Sequence, residues 1–171
     1  TPALIVDLDK AEENIRTLQA FADANDVSVR PHVKTHKSPY WALKQIDAGA
    51  IGVCTAKVGE AEAMVDGGIG DILVANEVVG QRKITRLVAL AKQASITVVV
   101  DDATNVDELS QAADANATEI DVLIDVNIRI NRCGVEPGQP VVDLAKRVDM
   151  SPGLVFKGLM GYEGHIPPEA N

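Results

Sequence analysis

Residues 71–102, "DILVANEVVGQRKITRLVALAKQASITVVVDD", are the stretch from which the fold can be read. "DILVAN" (71–76) and "ITVVVDD" (96–102) are short apolar runs rich in branched side chains. Neither alternates cleanly with polar residues, so each predicts a strand buried on both faces, which is the environment of a parallel sheet. Between them "ITRLVALAKQA" (84–94) places apolar residues at helical spacing. Parallel neighbours need a crossover of this kind, so the unit reads as strand, helix, strand.

The unit recurs in both directions. Upstream, "AIGVCTA" (50–56) reads as a strand, and "VGEAEAMVDGG" (58–68) as a helix stopped by Gly67 and Gly68. Downstream, "TNVDELSQAADAN" leads to "IDVLIDVNI" (120–128), and "QPVVDLAKRVDM" leads to "GLVFKGLMGY" (153–162). "VSVRPHVK" (27–34) is a strand whose proline marks an edge, a bend or an end. "ALIVDL" (3–8) reads as the first strand. Asp9 and Glu12 then have the spacing of a capping box, ahead of Ile15, Leu18, Phe21 and Ala22 on one helical face.

Two α/β architectures fit this alternation: a doubly wound open sheet and a (β/α)8 barrel. A glycine-rich dinucleotide fingerprint after the first strand is missing, and so is a P-loop. Setting the first strand outside the barrel leaves six, near 29–34, 51–55, 72–76, 96–101, 121–127 and 154–161. A closed barrel has eight strands in about 250 residues. We therefore expect an incomplete (β/α)8 TIM-type barrel forming one domain over 1–171, cut from a longer polypeptide.

Composition narrows the function. The 171 residues carry a net charge of -9, which disfavours nucleic acid as the main partner. No apolar run reaches the length of a membrane span. Cys54 and Cys133 lack metal-ligand spacing and read as free thiols of a reducing, cytoplasmic setting.

In a barrel the C-terminal ends of the strands form the active site. Polar residues fall at those ends: Lys34 with Thr35 and His36, Thr55, Asn76, Asp101 with Asp102, Asn127 through Arg132, and Tyr162 through His165. "RPHVKTHKSP" (30–39) is the densest group. Alternation along the strand puts Arg30, His32 and Lys34 on one face. An inward, desolvated lysine has its pKa lowered and can capture a carbonyl as a Schiff base. The same cations also suit a solvated loop over a strand end. His32 and His165 read either as proton shuttles or as hydrogen-bonded structural residues, whereas Asp101, Asp102 and Asn76 read as turn or cap residues.

"TPALIVDLDKAEENI", "RPHVKTHK", "NRCGV" and "GLMGYEGH", in that order, resemble the D-threonine aldolase and D-serine dehydratase family. These are fold-type III pyridoxal-phosphate enzymes with a barrel of the alanine racemase N-terminal type. The resemblance implies that Lys34 holds pyridoxal phosphate, with Lys37 as the competing choice. It implies that Arg132 contacts the cofactor's phenolic oxygen and that Tyr162 packs on its ring; His32, on the same strand face as Lys34, is expected as a further cofactor-binding residue. It further implies a lyase acting on small β-hydroxy D-amino acids, most simply a D-threonine aldolase yielding glycine and an aldehyde. A D-serine or D-3-hydroxyaspartate dehydratase, a racemase and a non-catalytic pyridoxal-phosphate-binding protein are the alternatives, and an inert half-barrel that associates through its open edges is a further reading. A homodimer is expected, as is a divalent metal held by a C-terminal β-domain beyond Asn171, with no metal ligand in this chain.

Overall fold

The computed structural model describes residues 1–3 and 5–167. Two helices come first, α1 (Leu8–Asp23) and α2 (Pro39–Asp47), followed by β1 (Val53–Thr55) and α3 (Val58–Asp66). Then come β2 (Asp71–Glu77), α4 (Gln81–Ala91), β3 (Ser95–Val100) and α5 (Ala103–Ala115), and finally β4 (Ile120–Val126), α6 (Gln139–Asp149) and β5 (Leu154–Gly161).

All five strands are parallel, and their order in the sheet is their order in the chain. A doubly wound sheet reverses its strand order partway, so that alternative is excluded. Sequential right-handed crossovers put the connecting helices on one face. That face is the core: Val53, Ile72, Val74, Ile96, Val98, Val100, Val122 and Ile124 are buried against Met64, Leu87, Leu109 and Val148 of the helices. Each such side chain contributes about 1.5–3 kcal/mol by leaving water. The opposite face bears Leu73, Thr97, Asp121 and Leu123, only half-buried. This is a barrel opened along its length, as expected.

Three local expectations are corrected. Residues 3–8 do not form the expected strand: Leu4 lies outside the described residues, Ile5 and Val6 are exposed without regular structure, and Leu8 already opens α1. The cap of α1 is Asp7, whose side chain accepts from the Lys10 N–H, while Glu12 turns to Lys44 Nζ at 2.9 Å. Of the helical stripe Ile15, Leu18, Phe21 and Ala22, only Ala22 is buried; Leu18 and Phe21 lie open. The sixth barrel strand is also reduced. Segment 29–33 runs beside β1 and bonds to it through Ile51 N–H to Val29 O, Cys54 N–H to Pro31 O and Val33 N–H to Cys54 O. Pro31 has no N–H to give, and the pairing amounts to one isolated bridge, His32 to Cys54.

Candidate active site

Lys34 follows that bridge directly, at the C-terminal edge of the sheet. The chain turns there, closed by Lys37 N–H to Val33 O at 2.7 Å, with Val33 fully buried as the anchor. Lys34 itself is exposed rather than inward and desolvated, which corrects the environment expected from alternation. With the barrel open, no described residue buries Lys34. Arg30, expected beside it, instead binds Asp71 Oδ1 at 2.6 Å at the other end of β2. His32 stays close: its Nδ1 accepts the Lys34 backbone N–H at 3.2 Å. Burial first, and the Lys34 charge second, hold the His32 pKa below its ordinary value, which agrees with an unprotonated Nδ1. His36 is used locally, accepting the Ser38 N–H. Lys37 pairs with Glu60 Oε1 at 3.7 Å, whereas among the described residues Lys34 has no carboxylate partner.

The second group is the loop after β4. Its neck is closed by Val135 N–H to Asp125 O and Asn127 N–H to Val135 O, both at 2.9 Å. Inside the loop, Asn127 Oδ1 accepts from Asn131 N–H, and its amide donates to Glu136 Oε1 at 2.8 Å. Asp101 Oδ2 accepts the Gly134 N–H at 2.9 Å. Arg132 leaves this loop and lies over the Tyr162 ring, 4.7 Å from its centroid. A guanidinium seated on an aromatic face is a favourable pair, so two of the expected site residues meet directly. His165, on the turn beyond Tyr162, is exposed.

The other strand-end residues divide. Asp102 caps α5, accepting from the N–H groups of Thr104 and Asn105, and Asn76 donates to Ala56 O at 3.2 Å. Both serve as turn or cap residues, as expected. Thr55 does not face the mouth; it shares the helix side of β1 with Val53 and is fully buried. Cys54 and Cys133 are both free thiols.

Two acidic residues of this region were not picked out from sequence. Glu77 ends β2 and Asp125 lies within β4. Their carboxyl oxygens and Cys133 Sγ lie within 4.8 Å of one another, and Asp125 is only 3% exposed. The available signal was a carboxylate inside "IDVLIDVNI", a run otherwise fit for burial on both faces.

The chain belongs to the family of alanine racemase N-terminal domains, whose model matches residues 6–170. It is 45% identical to a D-threonine aldolase of Arthrobacter sp over 97% of this chain and 44% of that protein. It is 44% identical to a 3-hydroxy-D-aspartate aldolase of Paracoccus denitrificans over 96% of this chain and 43% of that protein. The crystal structure of D-threonine aldolase from Filomicrobium marinum superposes with a TM-score of 0.95 at 49% identity, covering 96% of this chain and 45% of that one. The chain therefore spans under half the length of the curated relatives it matches. The resemblance carried by "RPHVKTHK" and "NRCGV" is borne out. Among the described residues no helix is long and apolar enough to cross a membrane.

Proposed function

We propose that this chain is the lysine-bearing part of a pyridoxal-phosphate-dependent lyase that cleaves small β-hydroxy D-amino acids, with D-threonine aldolase as the activity. The observation that carries the reading is the contrast between the two lysines of "KTHK". Lys34 presents an amine with no carboxylate partner among the described residues, beside a neutral imidazole, while Lys37 is engaged by Glu60. The residues present fit the cofactor: an available amine for its aldehyde, and a guanidinium stacked on an aromatic ring to hold a planar, negatively charged heterocycle. When bound, pyridoxal phosphate takes up the electron pair released as a bond to the substrate's α-carbon breaks.

Within that reading Lys34 is the attachment point and an acid–base group beside the α-carbon. Arg132 orients the cofactor's phenolic edge, Tyr162 supports its ring, and His32 fixes the backbone of Lys34. The aldolase reading is preferred over the dehydratase because both relatives described above are aldolases. The remaining inferences rest on the family: a divalent metal bound outside this chain, and a homodimer in the cytoplasm. Two free thiols support a reducing compartment, and the open β5 edge, with Phe156 and Leu159 exposed, supports association.

The test is an absorbance titration with pyridoxal phosphate of the wild type and Lys34→Ala, followed by borohydride trapping and peptide mapping. We expect a protein-bound band that Lys34→Ala abolishes, a label on Lys34, and glycine release from D-threonine by the full polypeptide. A label on Lys37 would refute the assignment of Lys34. Ammonia in place of glycine would make the enzyme a dehydratase.

A further inference from the structure

Beneath Arg132 lies a cluster to which the proposed reaction gives no role. Glu77, Asp125 and Cys133 come from the end of β2, the interior of β4 and the loop that follows it, and they converge within 4.8 Å. The Cys133 thiol donates to Asp125 Oδ2 at 3.2 Å. The Glu77 carboxyl lies against that of Asp125, and its Oε1 is buried without a hydrogen-bond partner among the described residues. A third carboxylate, Asp101, faces Glu77 from the end of β3 and holds Gly134. Arg132 interacts with the Cys133 thiol and opposes the rise in its pKa. Burial first, with the charges of Asp101 and Asp125 adding to it, raises the Glu77 pKa above the ordinary carboxylate value. Burial also pushes the Cys133 thiol up to about 11, which keeps it a donor to Asp125.

The consequence falls on Arg132. Arg30, Arg86 and Arg147 each hold a carboxylate, whereas Arg132 lies over an aromatic face while still interacting with Cys133 and with the charge of Asp125. The loop holds Arg132 there through its neighbours: Cys133 is tied to Asp125, Gly134 to Asp101, and Glu77 closes against Asp125 from β2.

We propose that Glu77 and Asp125 form a buried clamp on Cys133 that positions Arg132 at the cofactor site. The proposal rests on reading Arg132 as a cofactor contact; Glu77 and Asp125 are positioning residues that touch neither cofactor nor substrate.

The experiment uses the full polypeptide in a Cys54→Ser background, comparing wild type, Glu77→Gln and Asp125→Asn. The first readout needs no cofactor: the rate of Cys133 alkylation against pH. Wild type should show a midpoint at about 11. Asp125→Asn should alkylate at least about tenfold faster at a fixed pH below that midpoint, because thiolate fraction sets the rate. Glu77→Gln, which cannot ionise, should remove the part of that rate's pH dependence that comes from the Glu77 charge. The second readout is pyridoxal phosphate affinity by absorbance. Wild-type affinity should weaken as Glu77 loses its proton, Glu77→Gln should flatten that dependence, and Asp125→Asn should bind about tenfold more weakly, the scale seen when outer-shell partners are lost.

Equal alkylation rates in wild type and Asp125→Asn would overturn the clamp, as would an unchanged pH dependence in Glu77→Gln. Stoichiometric zinc binding that protects Cys133 would also overturn it, by making the cluster a metal site. Should wild type bind no cofactor, the proposed function fails and the positioning role fails with it, whatever the thiol shows. Cofactor bound by wild type with the predicted thiol rates but no pH dependence sinks the clamp alone.

Discussion

Segment 29–37 and loop 126–135 stand at the same end of one parallel sheet, yet they are anchored differently. The first carries Lys34 and depends on one isolated bridge, three hydrogen bonds to the strand 51–54 region and a single buried side chain, Val33. The second carries Arg132 and is tied at its neck to β4 and at Gly134 to Asp101, with Cys133 bonded to a carboxylate that is almost wholly buried. An amine that must swing between cofactor and substrate suits an adaptable mount. A guanidinium that must hold a ring in register suits a rigid one. The difference is physical, and substitution can test it from either side.

The largest effect should come from the neck of the rigid loop. Gly134 has φ +95, and a Cβ there would stand 2.7 Å from Asn127 N and 2.8 Å from the carbonyl carbon of Val126. Both obstacles are backbone, so neither yields as a flexible side chain would. Gly134→Ala should cost about 1–3 kcal/mol from the strained φ alone, with the collision adding to that. The Arg132 contact to Tyr162 should be lost with it. Urea unfolding and pyridoxal phosphate affinity would register both. A fully stable Gly134→Ala would mean that the loop is as adaptable as the lysine segment.

Next in size is a pH dependence of stability from the same region. The Glu77 pKa is raised in the folded protein, chiefly by burial. The folded state therefore binds more protons than the unfolded chain at pH values above the ordinary glutamate value. The contribution of Glu77 is fully present below that value and is lost as pH rises through the raised folded one. Urea midpoints should fall across that window in wild type and lose this component in Glu77→Gln. Glu62 acts in the opposite sense: hydrogen bonding to Arg86 lowers its pKa, so its contribution is lost as pH falls. A comparison with Glu62→Gln separates the two.

The same contrast explains what could be read from the sequence. The strands β2 to β5 follow from runs of branched residues, and observed bounds agree with the expected ones to within a few residues because burial on both faces leaves a local trace. Lys34, Arg132 and Tyr162 lie among the many polar residues that follow strands, and it was the resemblance carried by "RPHVKTHK", "NRCGV" and "GLMGYEGH" that singled them out. The strand expected over 3–8 failed for the converse reason: an apolar run becomes a strand only where it pairs with an edge, and the described residues of this segment pair with none. Burial of Lys34 was likewise an inference from alternation, and exposure of the open inner face defeats it. The support of Arg132 left only one local trace, the Asp125 carboxylate inside an apolar run. Glu77, Asp101 and Asp125 are separated by 24 residues at each step and meet only because adjacent strands end side by side.

The smallest expected effect lies at Lys37. Its φ is +50, a left-handed conformation that costs a side-chain-bearing residue about 1–2 kcal/mol. Lys37→Gly removes that strain but also increases the freedom of the unfolded chain, a cost of about 0.5–1 kcal/mol, and it gives up a pairing with Glu60 that is largely solvent-exposed on the lysine side. These terms nearly cancel, so the urea midpoint should scarcely move. The turn itself should persist, because its closing bond uses the backbone N–H of residue 37 and the buried Val33, neither of which the substitution removes. Borohydride trapping at Lys34 should accordingly proceed as in wild type. Loss of trapping in a stable Lys37→Gly protein would show that the lysine segment depends on one exact side-chain contact after all, and the contrast between an adaptable mount and a rigid one would collapse.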